Sequence, residues 1–178
     1  MALRLVELVA GSGRDALEVG GGVGAVQIEL LRAGAARATC VELSPAYEEE
    51  AEALAREAGV EDRIDRRLLD FARAGGDVGS ADIVVMHRVV CCYPDMPALV
   101  GAAAAHARRV LALSYPPDSW LFRAGARVVN FVSRVRRQEF RFFVHPPAAI
   151  ANVAGDHGLT RTLHERRRFW EIATFERP

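Results

Sequence analysis

Residues 17–24, LEVGGGVG, set one carboxylate, Glu18, two positions ahead of four glycines. Glycine loses more freedom on folding than any other residue, so such a cluster persists where the backbone turns tightly or a ligand lies against it. A strand that ends in this turn and opens a helix presents backbone N–H groups beside an open crevice, where nucleotide cofactors are held. Gly20, Gly21, Gly22 and Gly24, followed by Ala25, fit G-x-G-x-x-A. Glu42 follows about 20 residues later, where a carboxylate accepts hydrogen bonds from ribose hydroxyls.

For this turn to work it must join a strand to a helix. Short apolar runs alternate with longer amphipathic ones along the chain, the pattern of parallel strands joined by crossover helices. Strands are predicted over residues 15–20, 37–43, 63–71, 81–90 and 109–114, and helices over 23–32, 45–58, 97–106, 119–137 and 147–157. Ser44-Pro45 supplies an N-cap with proline at the first helical position, and Gly34, Gly59 and Gly158 mark helix ends. The tail, LTRTLHERRRFWEIATFER, lacks a helical crossover and reads as two strands running back against each other.

A chain of 178 residues suits a single domain, and 51% hydrophobic against 26% charged residues is the balance of a globular protein. No apolar run reaches the ~20 residues that span a bilayer, and MALRLVELVA lacks the length and flanks of a secretory signal. A cytoplasmic protein with no stable membrane insertion is expected. The net charge of +0 removes any chain-wide attraction to nucleic acid. Every basic residue is arginine, which excludes lysine Schiff-base chemistry. Cys40, Cys91 and Cys92 are odd in number and lack C-x-x-C spacing, so neither a disulfide framework nor a metal site is expected.

With Glu18 ahead of Gly20, Gly22 and Gly24, the stretch reads E-x-G-x-G-x-G, and the chain resembles a class I S-adenosylmethionine-dependent methyltransferase. The resemblance implies an α/β fold: a doubly wound, mostly parallel seven-stranded sheet with a reversed C-terminal strand and helices on both faces. It implies a single domain over residues 1–178, with a short N-terminal helix at 1–10. It assigns Glu18 to the cationic amino-acid end of S-adenosylmethionine, the glycine loop to its sulfonium and ribose, Glu42 to the ribose and Leu43 to the adenine. Asp70 and Phe71, in LLDF, match the acid that accepts from the adenine amino group and its aromatic neighbour. His87, ending ADIVVMH, matches the loop bordering methyl transfer. Relatives carry more helix before the first strand, and the Asn-Pro-Pro-Tyr run of base and amide methyltransferases is replaced here by MHRVVCCYP, which argues against nucleic-acid substrates.

Methyl transfer from a sulfonium is an in-line displacement by an already activated donor, so alignment matters more than any obligatory catalytic group. Where the acceptor needs deprotonation, His87 is the best placed base; Tyr93 and His145 are the other candidates near the reacting centre. Arg123, Arg127 and Arg134 share one face of the helix predicted at 119–137, and Arg123 and Arg127 are expected to hold an anionic acceptor. That helix and the DIVVMHRVVCCYPD run bear a loose resemblance to magnesium-protoporphyrin methyltransferases, which methylate a carboxylate. The expected activity is O-methylation of a small molecule, with a homodimer allowed for. An NAD-dependent oxidoreductase and a non-catalytic cofactor-binding relative are the alternatives.

Overall fold

The structure is a computed structural model describing residues 1–178. Apolar runs that have no polar face must be covered on both sides, and they form the middle of one sheet. These are β1 (Asp15–Val19), β4 (Ala81–His87) and β5 (Ala107–Tyr115). Outside them lie β2 (Arg37–Glu42) and β3 (Ile64–Leu68) on one side, and β7 (Glu171–Glu176) and β6 (Thr160–Arg166) on the other, in the order β3-β2-β1-β4-β5-β7-β6. Only β7 is reversed: it pairs antiparallel with both β5 and β6. The doubly wound, seven-stranded α/β sheet with a reversed last strand is therefore present as the sequence implied.

The chain runs from β1 through β2 to β3 in one direction, then returns to lay β4 on the other side of β1. That reversal opens a crevice at the carboxyl ends of β1 and β4. One face of the sheet is covered by α1 (Ala2–Val9) and α2 (Ala25–Arg32), which bury Leu5, Val9, Ile28 and Leu30 against Ile83 and Val85. The other is covered by α5 (Met96–His106) and α7 (Pro147–Asp156), packed on Leu17, Val84, Met86 and Leu111. Each such fully buried aliphatic side chain contributes roughly 1.5–3 kcal/mol.

Four boundaries differ from the predicted ones near the crevice. β3 stops at Leu68, so Asp70 stands at the head of a short helix, α4 (Phe71–Ala74), instead of closing a strand. β4 stops at His87 because Arg88 turns into the left-handed region at φ 61°. The physical cause sits on the neighbouring strand: the buried Ser114 hydroxyl accepts the Arg88 N–H at 3.1 Å. α2 begins at Ala25, and α3 (Glu48–Glu57) begins after a single tight turn at Pro45–Tyr47, where Ser44 caps the Ala46 N–H. The remaining helix, α6 (Trp120–Val135), buries only Ala126 and Ser133. No helix is long and apolar enough to cross a membrane.

Candidate functional site

At the crevice, Val19 and Gly20 at the end of β1, Glu42 and Leu43 at the end of β2, Asp70 and Phe71 at the head of α4 and Arg88 after β4 line a cavity of about 500 Å³. Gly22, Tyr47, Cys92, Tyr93, Glu139 and Phe140 complete much of the wall. The glycine loop forms its floor, and two of its members have no substitute. Gly20 has φ 69°, and a Cβ there would meet Val89 at 2.3 Å; a Cβ on Gly21 would meet the Cys40 sulfur at 2.4 Å.

Glu42 holds the loop in place. Its carboxylate accepts from the Gly22 N–H at 2.8 Å on one oxygen and from Leu43 and Ser44 at 2.8 and 2.9 Å on the other. A carboxylate has about four acceptor directions, so three backbone donors leave room for one more, which suits a ribose hydroxyl. Asp70 accepts the Tyr93 hydroxyl at 2.9 and 3.0 Å on its two oxygens. Burial, and then this bond to a carboxylate, raise the Tyr93 pKa, so the phenol stays protonated. Apolar Leu43 and Phe71 follow these two acids along the wall, with the Phe71 ring packed against His106 at 5.1 Å.

Glu18 lies elsewhere. The sequence placed it at the cofactor's amino-acid end, but its side chain sits behind the loop, 2% exposed, accepting the Gln27 N–H at 3.0 Å. Burial pushes its carboxyl up to about 8, against the pull of that hydrogen bond and of the Arg66 cation. Gly21 and Gly24 also lie off the wall and shape the turn from beneath; Gly24 precedes α2 at φ 81°.

Arg66, on β3, escaped sequence reading. Its guanidinium donates to the Gly22 carbonyl at 2.7 Å and to Glu48 at 2.8 Å, tying the loop to α3. Nothing in its local sequence signals this, because loop and strand are 44 positions apart.

Beyond Asp70, the wall belongs to the turn after β4. His87 shares the Ile83 and Val85 face of the sheet, away from the wall, with Nδ1 2.9 Å from Ser114 Oγ. Burial, reinforced by the Arg88 charge, lowers its pKa to about 4, so the ring is neutral at pH 7. The Cys91 and Cys92 thiols both donate to the Arg88 carbonyl, at 3.4 and 3.6 Å, and so buttress the turn. The Arg88 guanidinium is exposed, lies 4.7 Å from the centre of the Trp170 ring and has no carboxylate within 4.0 Å. His145 is also off the wall; it donates to the Tyr93 carbonyl at 3.3 Å, and burial lowers its pKa. Its segment returns over the turn, with the Phe143 N–H bonded to the Cys91 carbonyl at 2.7 Å, bringing Glu139 and Phe140 onto the cavity. Arg123 and Arg127 do not reach it: Arg123 forms a two-pronged pair with Asp118 at 2.6 and 2.8 Å, and Arg127 is exposed on α6.

A family model described as a methyltransferase domain matches residues 16–113, more than half of the chain and all of the wall from β1 to the turn after β4. No curated protein sequence matches the chain. Among solved structures, magnesium protoporphyrin IX methyltransferase from Synechocystis PCC 6803, with bound S-adenosylhomocysteine, is 23% identical; the match covers 99% of this chain and 82% of that one, at a TM-score of 0.77. An O-methyltransferase family protein from Burkholderia thailandensis is 18% identical over 99% of this chain and 56% of that one, at 0.79. Geranyl diphosphate C-methyltransferase from Streptomyces coelicolor A3(2) is 15% identical over 99% and 76%, at 0.74. At these identities the structures establish the fold.

Proposed function

The chain belongs to the methyltransferase domain family, and we propose that it transfers the methyl group of S-adenosylmethionine to an oxygen of a small, anionic acceptor. The carrying observation is one continuous cavity that runs from the acids suited to a nucleoside, Glu42 and Asp70, to the unpaired cation Arg88. S-adenosylmethionine supplies an activated methyl group on a sulfonium. The chain's task is to hold donor and acceptor in line and keep water out.

In this reading Glu42 receives the ribose, Asp70 and Tyr93 border the adenine between Leu43 and Phe71, and Gly20 and Gly22 lie under the sulfonium end. Glu18, Gly21 and Gly24 act through the loop's shape. Arg88 orients the acceptor: its guanidinium matches a carboxylate bidentately, and Trp170 holds it without neutralising it. The cation expected from Arg123 and Arg127 is thus supplied by the strand-four turn. Tyr93 keeps its proton and His87 lies off the wall, so the arrangement favours an acceptor oxygen that arrives ionised, such as a carboxylate. His87 and His145 are positioning residues, setting Arg88 through Ser114 and Tyr93 through its carbonyl. A relative that acts on magnesium protoporphyrin IX supports a small-molecule acceptor; the C-methyltransferase among the neighbours makes the reacting atom the point to test.

Calorimetric titration with S-adenosylmethionine, S-adenosylhomocysteine and NADH tests the cofactor: both sulfur compounds are expected to bind, and binding of NADH alone overturns the reading. A screen of carboxylic acids, phenols and amines with methyl-labelled donor tests the acceptor, and turnover confined to neutral amines overturns an anionic one. With an active carboxylate found, Arg88→Gln should raise its KM roughly tenfold or more while S-adenosylhomocysteine binding stays within about twofold. Binding of the sulfur compounds with no turnover of any acceptor would mark a non-catalytic relative.

A further inference from the structure

Helix α6 is built the wrong way round for a helix that packs on a sheet. Seven of the molecule's 14 exposed large hydrophobic residues lie on it, with Trp120 at 79% and Phe131 at 68% exposure. At 100° per residue, Trp120, Leu121, Val128, Phe131, Val132 and Val135 fall within roughly a third of the circumference. That makes a continuous stripe, where scattered single residues would need no explanation. Arg123, Arg127 and Arg134 run along one edge of the stripe, and Arg136, Arg137 and Arg141 follow it. Glu139 is the only acid in residues 119–141, and none of Arg127, Arg134, Arg136 and Arg137 has a carboxylate within 4.0 Å. The neutral total of the chain conceals a strongly basic, apolar pole.

The occupant of this face must accept aromatic and aliphatic side chains and carry negative charge beside them. A second copy meeting α6 through α6 would set each arginine row against its own copy, since an isologous contact is self-complementary. A bilayer with anionic headgroups meets both demands at once: acyl chains for Trp120, Phe131 and the valines, and phosphates for guanidinium groups at the level of the stripe's edge. We propose that α6 is an interfacial docking helix that seats this protein on an anionic phospholipid surface. The helix lies on the membrane and does not cross it.

The test uses the full chain with vesicles of phosphatidylcholine alone and of phosphatidylcholine mixed with phosphatidylglycerol. Flotation with the mixed vesicles at low salt is expected, weakening as salt rises and absent with phosphatidylcholine alone. In Trp170→Phe, Trp120 is the only tryptophan, and its emission should shift to the blue on binding. Arg127→Glu/Arg134→Glu and Val128→Glu/Phe131→Glu should each weaken vesicle binding tenfold or more. Because all four positions are exposed, unchanged circular dichroism and thermal unfolding distinguish lost docking from lost folding. The proposal is overturned by failure to float with mixed vesicles, by equal binding to the neutral ones, by binding that survives both double variants, or by a lipid-free dimer that the same variants dissolve.

Discussion

The glycine-loop end of the molecule and helix α6 hold charged and apolar groups in opposite ways. Around the loop every ionic group is spoken for: Glu42 by three N–H donors, Glu18 by Gln27, and Arg66 by the Gly22 carbonyl and Glu48. On α6 the apolar stripe faces outward and four arginines in and just after the helix find no acid. Buried polar groups are rarely left without a partner, and beside the loop only Gln27 Oε1 lacks one, so the shape of the loop is set by the chain's own contacts. The exposed stripe and its unpaired cations leave apolar area and charge that the chain itself does not cover.

Substitutions at the two ends separate these descriptions. Leu17→Ala, beneath the loop and fully buried, should cost roughly 2–5 kcal/mol of unfolding free energy by denaturant titration. Glu42→Ala orphans three backbone donors and should weaken S-adenosylhomocysteine binding about a hundredfold by calorimetry. Arg66→Ala should weaken it roughly tenfold, through the freed Gly22 carbonyl, with no change at the acceptor end; unchanged affinity would mean that the loop holds its shape unaided.

The pH dependence of stability sharpens the contrast further. Glu18 has its carboxyl raised to about 8 by burial, so the folded state retains a proton that the unfolded chain, titrating at 4.5, releases. Its contribution is full below pH 4.5 and is lost as pH rises towards 8. Glu18→Gln should therefore match the parent at pH 4 and gain stability as pH rises, by a Tm difference on the order of 5 °C at pH 9. Smallest of all, Val128→Ser on α6 should shift stability by less than about 0.5 kcal/mol, because an exposed side chain has little packing to lose. A large loss there would mean that α6 is held by packing after all.

What the sequence disclosed about the site was local. The glycine turn and Glu42 were legible because they close strands at a spacing the fold imposes, while Asp70 was reached through the family resemblance and stands before α4 instead of closing β3. Arg66 and the Arg88–Trp170 contact were not, since each joins segments that only the sheet order brings together. Glu18 was legible as a residue, but not the direction of its side chain: alternation along β1 allows one face or the other, and the Gln27 N–H holds the carboxyl on the inside, near the Arg66 charge. Arg123, Arg127 and Arg134 were correctly read as one face of a helix. Periodicity tells which residues share a face and says nothing of where the face points.

The sequence by itself determined the α/β class, the glycine turn and the paired strands of the tail, because these rest on hydrophobic period, backbone freedom and fixed spacing within short segments; the reversed last strand followed from the methyltransferase resemblance. Tertiary structure alone decided which cation lines the cavity and which acid goes behind the loop. It also turned the apolar stripe of α6 to the outside. Each of those outcomes depends on contacts between residues far apart in the chain, and burial and electrostatics act through distance in space, which sequence separation does not measure.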